Sequence, residues 1–199
     1  MAEPYFGWAL DAVEGLRWLA DVDDWAFAGE RENLGGRDPR IVDVAHVRWA
    51  STTAKTAIDL CSNELAYRYG DHAFWAKRGQ NFFEVRKTLK PSDPRTNERV
   101  RTWLNGVNRD QDFAVLSKIR NALTHQFLVR TALIVIQPPR GHEERTRFEI
   151  DPTTPAKERP DARELILKCR NLAERHVSHF EERFGPRPSP SPRRPSQSP

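Results

Sequence analysis

The strongest constraint on this chain is one apolar stripe. Val44, Val47, Ala54, Ile58, Cys61 and Leu65 recur at intervals of three, four or seven residues across about Pro39 to Tyr69. Side chains so spaced meet on one face of an α-helix but fall on both faces of a strand. The segment therefore predicts a long amphipathic helix, ended by Gly70, whose apolar side other elements must cover. A chain committed to such a helix is committed to helix-on-helix packing.

The remaining sequence supplies the partners. A first helix is expected from Pro4 into the Trp18-Leu19-Ala20 region, with Tyr5, Ala9, Ala12, Leu16 and Leu19 at helical spacing. Asp21 to Asp24 should interrupt it, and Gly35-Gly36 mark a loop. From Asp71 to Lys90 the chain is aromatic-rich but poorly periodic, which predicts a short helix and then a loop. Asp93-Pro94 reads as a helix start and Asn105-Gly106 as its end. Asp110 reads as the cap of the next helix, in which Phe113, Leu116, Ile119, Leu123 and Phe127 point to one side. The β-branched runs Thr131 to Ile136 and Thr146 to Ile150 flank a Pro/Gly turn and predict a β-hairpin. A last helix follows over about Asp161 to Phe184, with Ile166, Cys169, Ala173, Val177, Phe180 and Phe184 in register. The expected fold is all-α: a bundle of four or five helices with a small hairpin before the last one, forming one domain over 1–184. Residues 185–199, Pro, Ser and Arg almost throughout, have no apolar side chain to bury and are expected to be a disordered tail.

Composition narrows the function classes. The net charge is +4 and the pI about 9.3, so a polyanionic partner such as RNA is permitted wherever the positive charge is concentrated. Cys61 and Cys169 lie in apolar stripes without a companion at metal or redox spacing, and read as small core residues in a reducing compartment. No apolar run approaches the roughly 20 residues that span a bilayer. Met1-Ala2-Glu3-Pro4 lacks the basic start and apolar stretch of a signal peptide, so a cytoplasmic protein without a membrane segment is expected.

One segment carries chemistry. Lys118-Ile119-Arg120-Asn121-Ala122-Leu123-Thr124-His125-Gln126 sets a cation, an amide, a hydroxyl and an imidazole in mid-helix, where propensity favours Ala, Leu or Glu. Asn121 and His125 share a face at i,i+4, and Arg120 and Thr124 form the neighbouring pair. Such a strip suits phosphodiester cleavage in RNA. Histidine titrates near neutrality and can move the proton of a ribose 2′-hydroxyl, while arginine keeps its charge and grips phosphate oxygens in a planar fork. Neither role needs a metal, and no carboxylate cluster suggests a two-metal site.

Arg120, four residues, then His125, with a polar Asn121 directly after the arginine, resembles the signature of the HEPN superfamily of helical-bundle ribonucleases. The resemblance implies a helical bundle, a homodimer, and a cleft on the dimer axis to which both copies contribute Arg and His. It also implies metal-independent cleavage leaving a 2′,3′-cyclic phosphate, often in toxin–antitoxin or antiviral systems, and hence an antitoxin or defence partner. Its site residues here are Arg120, Asn121 and His125, with no cofactor and no metal. One branch of the family carries a tyrosine two residues after the histidine, which a partner can modify with AMP. Phe127 stands there instead and has no hydroxyl to accept the group.

The other candidates have plainer readings. His176 and His179, three apart, could in principle hold a metal with Cys169, but their neighbours form the core stripe, so both are expected at the packing seam or in solvent. His46 sits early on the long helix and could line a cleft, though nothing picks it out, and His142 falls in the hairpin turn and reads as surface. The tryptophans Trp8, Trp18, Trp25, Trp49, Trp75 and Trp103 could stack bases, but their scatter over separate elements favours core or interface packing. Pro186 to Pro190 with Arg193-Arg194 resembles a polyproline ligand or a loose contact to nucleic acid. The competing function is a non-catalytic helical module that uses the same seam to hold RNA, a nucleotide or a protein.

Overall fold

The computed structural model describes residues 5–29, 39–70, 81–125, 131–136, 143–150, 153–155 and 158–185; positions 22–29, 39–40, 124–125, 131–136 and 143–145 are described by backbone alone. The protein is an all-α bundle. Among the described residues its helices are α1 (Tyr5–Gly29), α2 (Pro39–Tyr69), α3 (Phe82–Leu89), α4 (Glu98–Arg109), α5 (Gln111–His125) and α6 (Ala162–Phe184). Strands β1 (Thr131–Ile136) and β2 (Glu143–Phe148) pair antiparallel before α6, from Thr131 opposite Phe148 to Ile136 opposite Glu143. None of the described helices is long and apolar enough to cross a membrane.

The long stripe on α2 is the spine of the core: Val47, Ala54, Ile58, Cys61 and Leu65 are fully buried, and Val44 is half-buried. α1 covers it with Ala9, Val13, Leu16 and Leu19, and α6 with Leu165, Ile166, Cys169, Leu172, Ala173 and Phe180. The Phe6 and Phe180 rings stack at 5.3 Å between α1 and α6, and further along the same two helices Arg17 reaches Glu174 at 2.6 Å. At the same end as the Phe6 and Phe180 rings, Arg68 of α2 donates to the carbonyls of Phe184 and Gly185 at 3.0 and 3.3 Å, closing the C-terminus of α6. Behind it, the buried Glu64 takes the Arg68 Nε at 2.8 Å.

The shorter helices wedge against this three-helix layer through aromatic rings. Phe82 of α3 meets Trp103 of α4 and Phe113 of α5 edge-on, and Trp103 meets Phe180 of α6 at 5.6 Å. The Trp103 indole N–H also donates to the His176 carbonyl at 3.1 Å, so its polar edge is satisfied inside the core. The hairpin is latched rather than free: Phe148 is buried, its N–H donates to Pro160 O at 3.0 Å, and the buried Thr146 hydroxyl donates to Asp43 of α2.

Three expected boundaries are corrected. α1 does not stop at Asp21 to Asp24 but continues to Gly29, because acidic residues do not break a helix backbone as Pro or Gly would. Asp93-Pro94 opens a tight turn, in which Asp93 accepts from the Arg95 and Thr96 N–H groups, and Asn97 caps α4 instead. α4 then runs through Asn105-Gly106 to Arg109, because burying Val107 on the Val100/Trp103/Leu104 side outweighs the glycine's weak helix preference. The last helix begins where expected, with Asp161 and Glu164 forming a reciprocal capping box. Phe127, the hairpin turn with His142, and the tail from 186 lie outside the described residues, as do Trp75 and the side chain of Trp25.

Candidate functional site

α5 carries the polar strip on the shoulder of its core stripe. Phe113, Leu116, Ile119 and Leu123 are buried, which leaves Arg120 half-buried and Asn121 exposed. The two are joined: Arg120 Nη1 donates to Asn121 Oδ1 at 3.1 Å. The Arg120 Nε is enclosed and has no acceptor among the described residues. His125 is the last residue of α5, one turn beyond Asn121; its side chain and that of Thr124 lie outside what is described.

Arg120 also forms one wall of a groove of about 520 Å³, whose other lining residues, Ile41, Val44, Ala45, Arg48, Trp49 and Thr52, all come from α2. Its volume falls within the range of ligand clefts. Among the described residues neither Arg48 nor Arg120 is paired with a carboxylate. The cause is in the sequence. From Phe113 to His125 α5 has Lys118, Arg120 and His125 but no acidic residue, and from Pro39 to Ile58 α2 has only Asp43, which is buried against Thr146. The other described cations of α2 differ: Lys55 has Asp59 one turn on, and Arg68 has Glu64 one turn back. One turn on from Arg48 stands Thr52. The groove therefore combines two unneutralised guanidiniums with an apolar floor and an indole, a set suited to a planar anion.

Arg48 and Trp49 were invisible as site residues in the sequence, since nothing along the chain ties them to Arg120. The available signal was that Ile41 and Trp49 lie off the α2 core stripe. Trp8, Trp18 and Trp49 are 47%, 63% and 43% exposed, so of the expected core or interface packing they do not show the core placement, and only Trp103 of the described indoles is a core residue. A large apolar residue off the stripe is left in water unless something else covers it.

A second polar cluster is structural. Asp110 separates α4 from α5; its Oδ1 accepts the N–H groups of Asp112 and Phe113, while its Oδ2 accepts from Arg175 at 2.7 Å and lies 2.9 Å from His176 Nε2. Burial disfavours the charge on Asp110, but the hydrogen bonds from Arg175 and His176 outweigh it and hold the carboxyl below its ordinary range. His176 is only 5% exposed, and burial pushes its pKa down against the opposing pull of Asp110, with Arg175 and His179 adding to the lowering. The imidazole is therefore neutral at physiological pH and donates its Nε2 proton to Asp110. This places His176 at the packing seam; the half-buried His179 accepts from Arg183 Nε at 2.6 Å. Cys61 and Cys169 are both enclosed; burial pushes the Cys169 thiol up to about 12 and Cys61 higher still, so neither is a nucleophile. No group of three or more His, Cys, Asp or Glu side chains poised to hold a metal occurs among the described residues. Comparison with family models, curated proteins and solved structures returns no match to this chain.

Proposed function

We propose that the chain is a metal-independent endoribonuclease of HEPN type that works as a homodimer. The observation that carries this reading is Arg120: a guanidinium with no carboxylate partner among the described residues, steadied by Asn121, on the wall of a groove of nucleotide size. In the proposed reaction Arg120 holds the scissile phosphate and offsets the charge that builds on its oxygens. Asn121 fixes the guanidinium and is a positioning residue. One copy of His125 takes the proton from the 2′-hydroxyl as that oxygen attacks phosphorus. The other copy returns a proton to the departing 5′-oxygen, leaving a 2′,3′-cyclic phosphate and a 5′-hydroxyl. Dimerisation about α5 supplies both. An antitoxin or a defence system is the class of partner that would restrain such an activity.

The test is incubation of the purified protein with total RNA in excess EDTA. Cleavage should persist, and His125→Ala should lower its rate by on the order of 100-fold or more. Arg120→Ala should do comparable damage, and Arg120→Lys should restore little, because an ammonium lacks the bidentate fork. An activity lost on chelation and restored by Mg²⁺ would overturn the mechanism. Normal cutting by both alanine variants, with a marked loss of thermal stability, would make the strip a packing feature and leave the non-catalytic module as the reading.

A further inference from the structure

The groove contains more than the phosphate role of Arg120 requires. Trp49 of α2 is 43% exposed, next in sequence to Arg48, and lines the groove with Arg120. Its position is fixed from the other side: the indole Cη2 lies 3.8 Å from where a Cβ on Gly15 of α1 would stand. The indole thus rests against α1, with room left for a Cβ at position 15, while part of its surface stays open to solvent. Every nucleobase offers a π-face to such a ring, and the phosphates on either side of a stacked base need cations nearby. Arg48 and Arg120 meet that need, since neither has a carboxylate partner among the described residues.

We propose that the α2 groove is a subsite for single-stranded RNA, in which one base stacks on Trp49 while Arg48 and Arg120 hold the adjoining phosphates. It rests on the ribonuclease reading only for the phosphate role of Arg120. The charge complementarity of the groove selects a polyanion, and the exposed indole selects an unpaired base. In a duplex both faces of each base are already occupied by stacking, and extruding one costs unstacking energy. The subsite thus makes the protein read loops and unpaired segments in preference to helices.

The experiment uses the full chain carrying His125→Ala, so that the probe survives, and a fluorescein-labelled 12-mer of uridylate read by anisotropy. A duplex of the same length serves as the comparison. Trp49→Ala should weaken single-strand binding by roughly 5- to 100-fold, the range for losing one stacked base, and Trp49→Phe should keep most of the affinity. Arg48→Ala should lower the slope of log affinity against log salt by about one. The duplex should bind more weakly and respond little to Trp49→Ala. Unchanged single-strand affinity in Trp49→Ala overturns the subsite, as does equal binding of duplex and single strand. Light scattering covers a second copy of the chain as the occupant: if Trp49→Ala converts a dimer to monomers and binding falls only in step, the groove is an interface and the subsite is refuted. The two readings fail separately. Trp49-dependent binding by a protein that never cuts RNA sinks the ribonuclease and keeps the subsite; EDTA-resistant cutting that ignores Trp49 does the reverse.

Discussion

Asp110 is a single residue on which three helices depend, and replacing it isolates that dependence. Its backbone N–H closes α4 on Val107 O, its Oδ1 caps α5, and its Oδ2 ties both to Arg175 and His176 of α6. Asp110→Ala removes the cap, at about 1 kcal/mol. It also takes the acceptor from a buried imidazole N–H, at about 1.5–3 kcal/mol for a bond to a charged group. The half-exposed Arg175 contact adds little. The expected loss is about 2.5–4 kcal/mol, a fall in Tm of roughly 5–15 °C for a chain of this size. Asp110→Asn is the control for the cap alone, because its one oxygen can still take the Asp112 and Phe113 N–H groups while its NH2 replaces the oxygen that accepted from His176; it should cost about 1.5–3 kcal/mol, less than Ala by about the value of the cap. Urea unfolding followed by circular dichroism gives both values. The pH dependence provides a second check. Both folded-state pKa values are depressed, so both groups add stability at higher pH that is lost on acidification, as the unfolded chain takes up protons the folded one refuses. The loss should begin below about pH 6.5 for His176 and continue below about pH 4 for Asp110. His176→Gln, whose amide N–H can take the place of Nε2–H and still donate to Asp110, should flatten the first part. If Asn at position 110 is as costly as Ala, or Ala costs under 1 kcal/mol, the reasoning fails.

Two further outcomes follow from burial and backbone. Gly106 sits within α4 with nothing within 4 Å of where a Cβ would be, so Gly106→Ala should gain about 0.5–1 kcal/mol and raise Tm by roughly 1–4 °C; a loss would mean that the glycine has a role beyond the helix. Cys61 and Cys169 should be silent to a chromogenic disulfide reagent in the native protein and titrate as two thiols in guanidinium; rapid native labelling would contradict their burial.

What the sequence revealed and what it hid follow one rule. α2 was legible because its apolar core residues recur with the helical period, although from Cys61 to Ala66 the helix is buried all round. Asp110 was legible because a cap is chemistry confined to four residues. α4 was misread at both ends, because Asp93-Pro94 and Asn105-Gly106 carry local signals that tertiary burial of Val100, Trp103, Leu104 and Val107 overrides. The site divided in the same way. Arg120 and Asn121 could be found because they are neighbours in sequence and joined in space. Arg48 and Trp49 stand some seventy positions earlier, and only packing of α2 against α5 brings them to the same groove.

The pairing of α1 with α6 bears on how the protein is made. α6 is the last of the described helices to be synthesised, yet its Phe180 stacks on Phe6 and its Glu174 holds Arg17. While the ribosome is still working through the hairpin, α1 and α2 can form a hairpin of helices, but the apolar face they share has no cover. Folding therefore completes only after α6 has emerged. A nascent chain stalled before Ala162 presents that open face to chaperones and proteases, and no groove is stably formed in it until translation has passed Phe184.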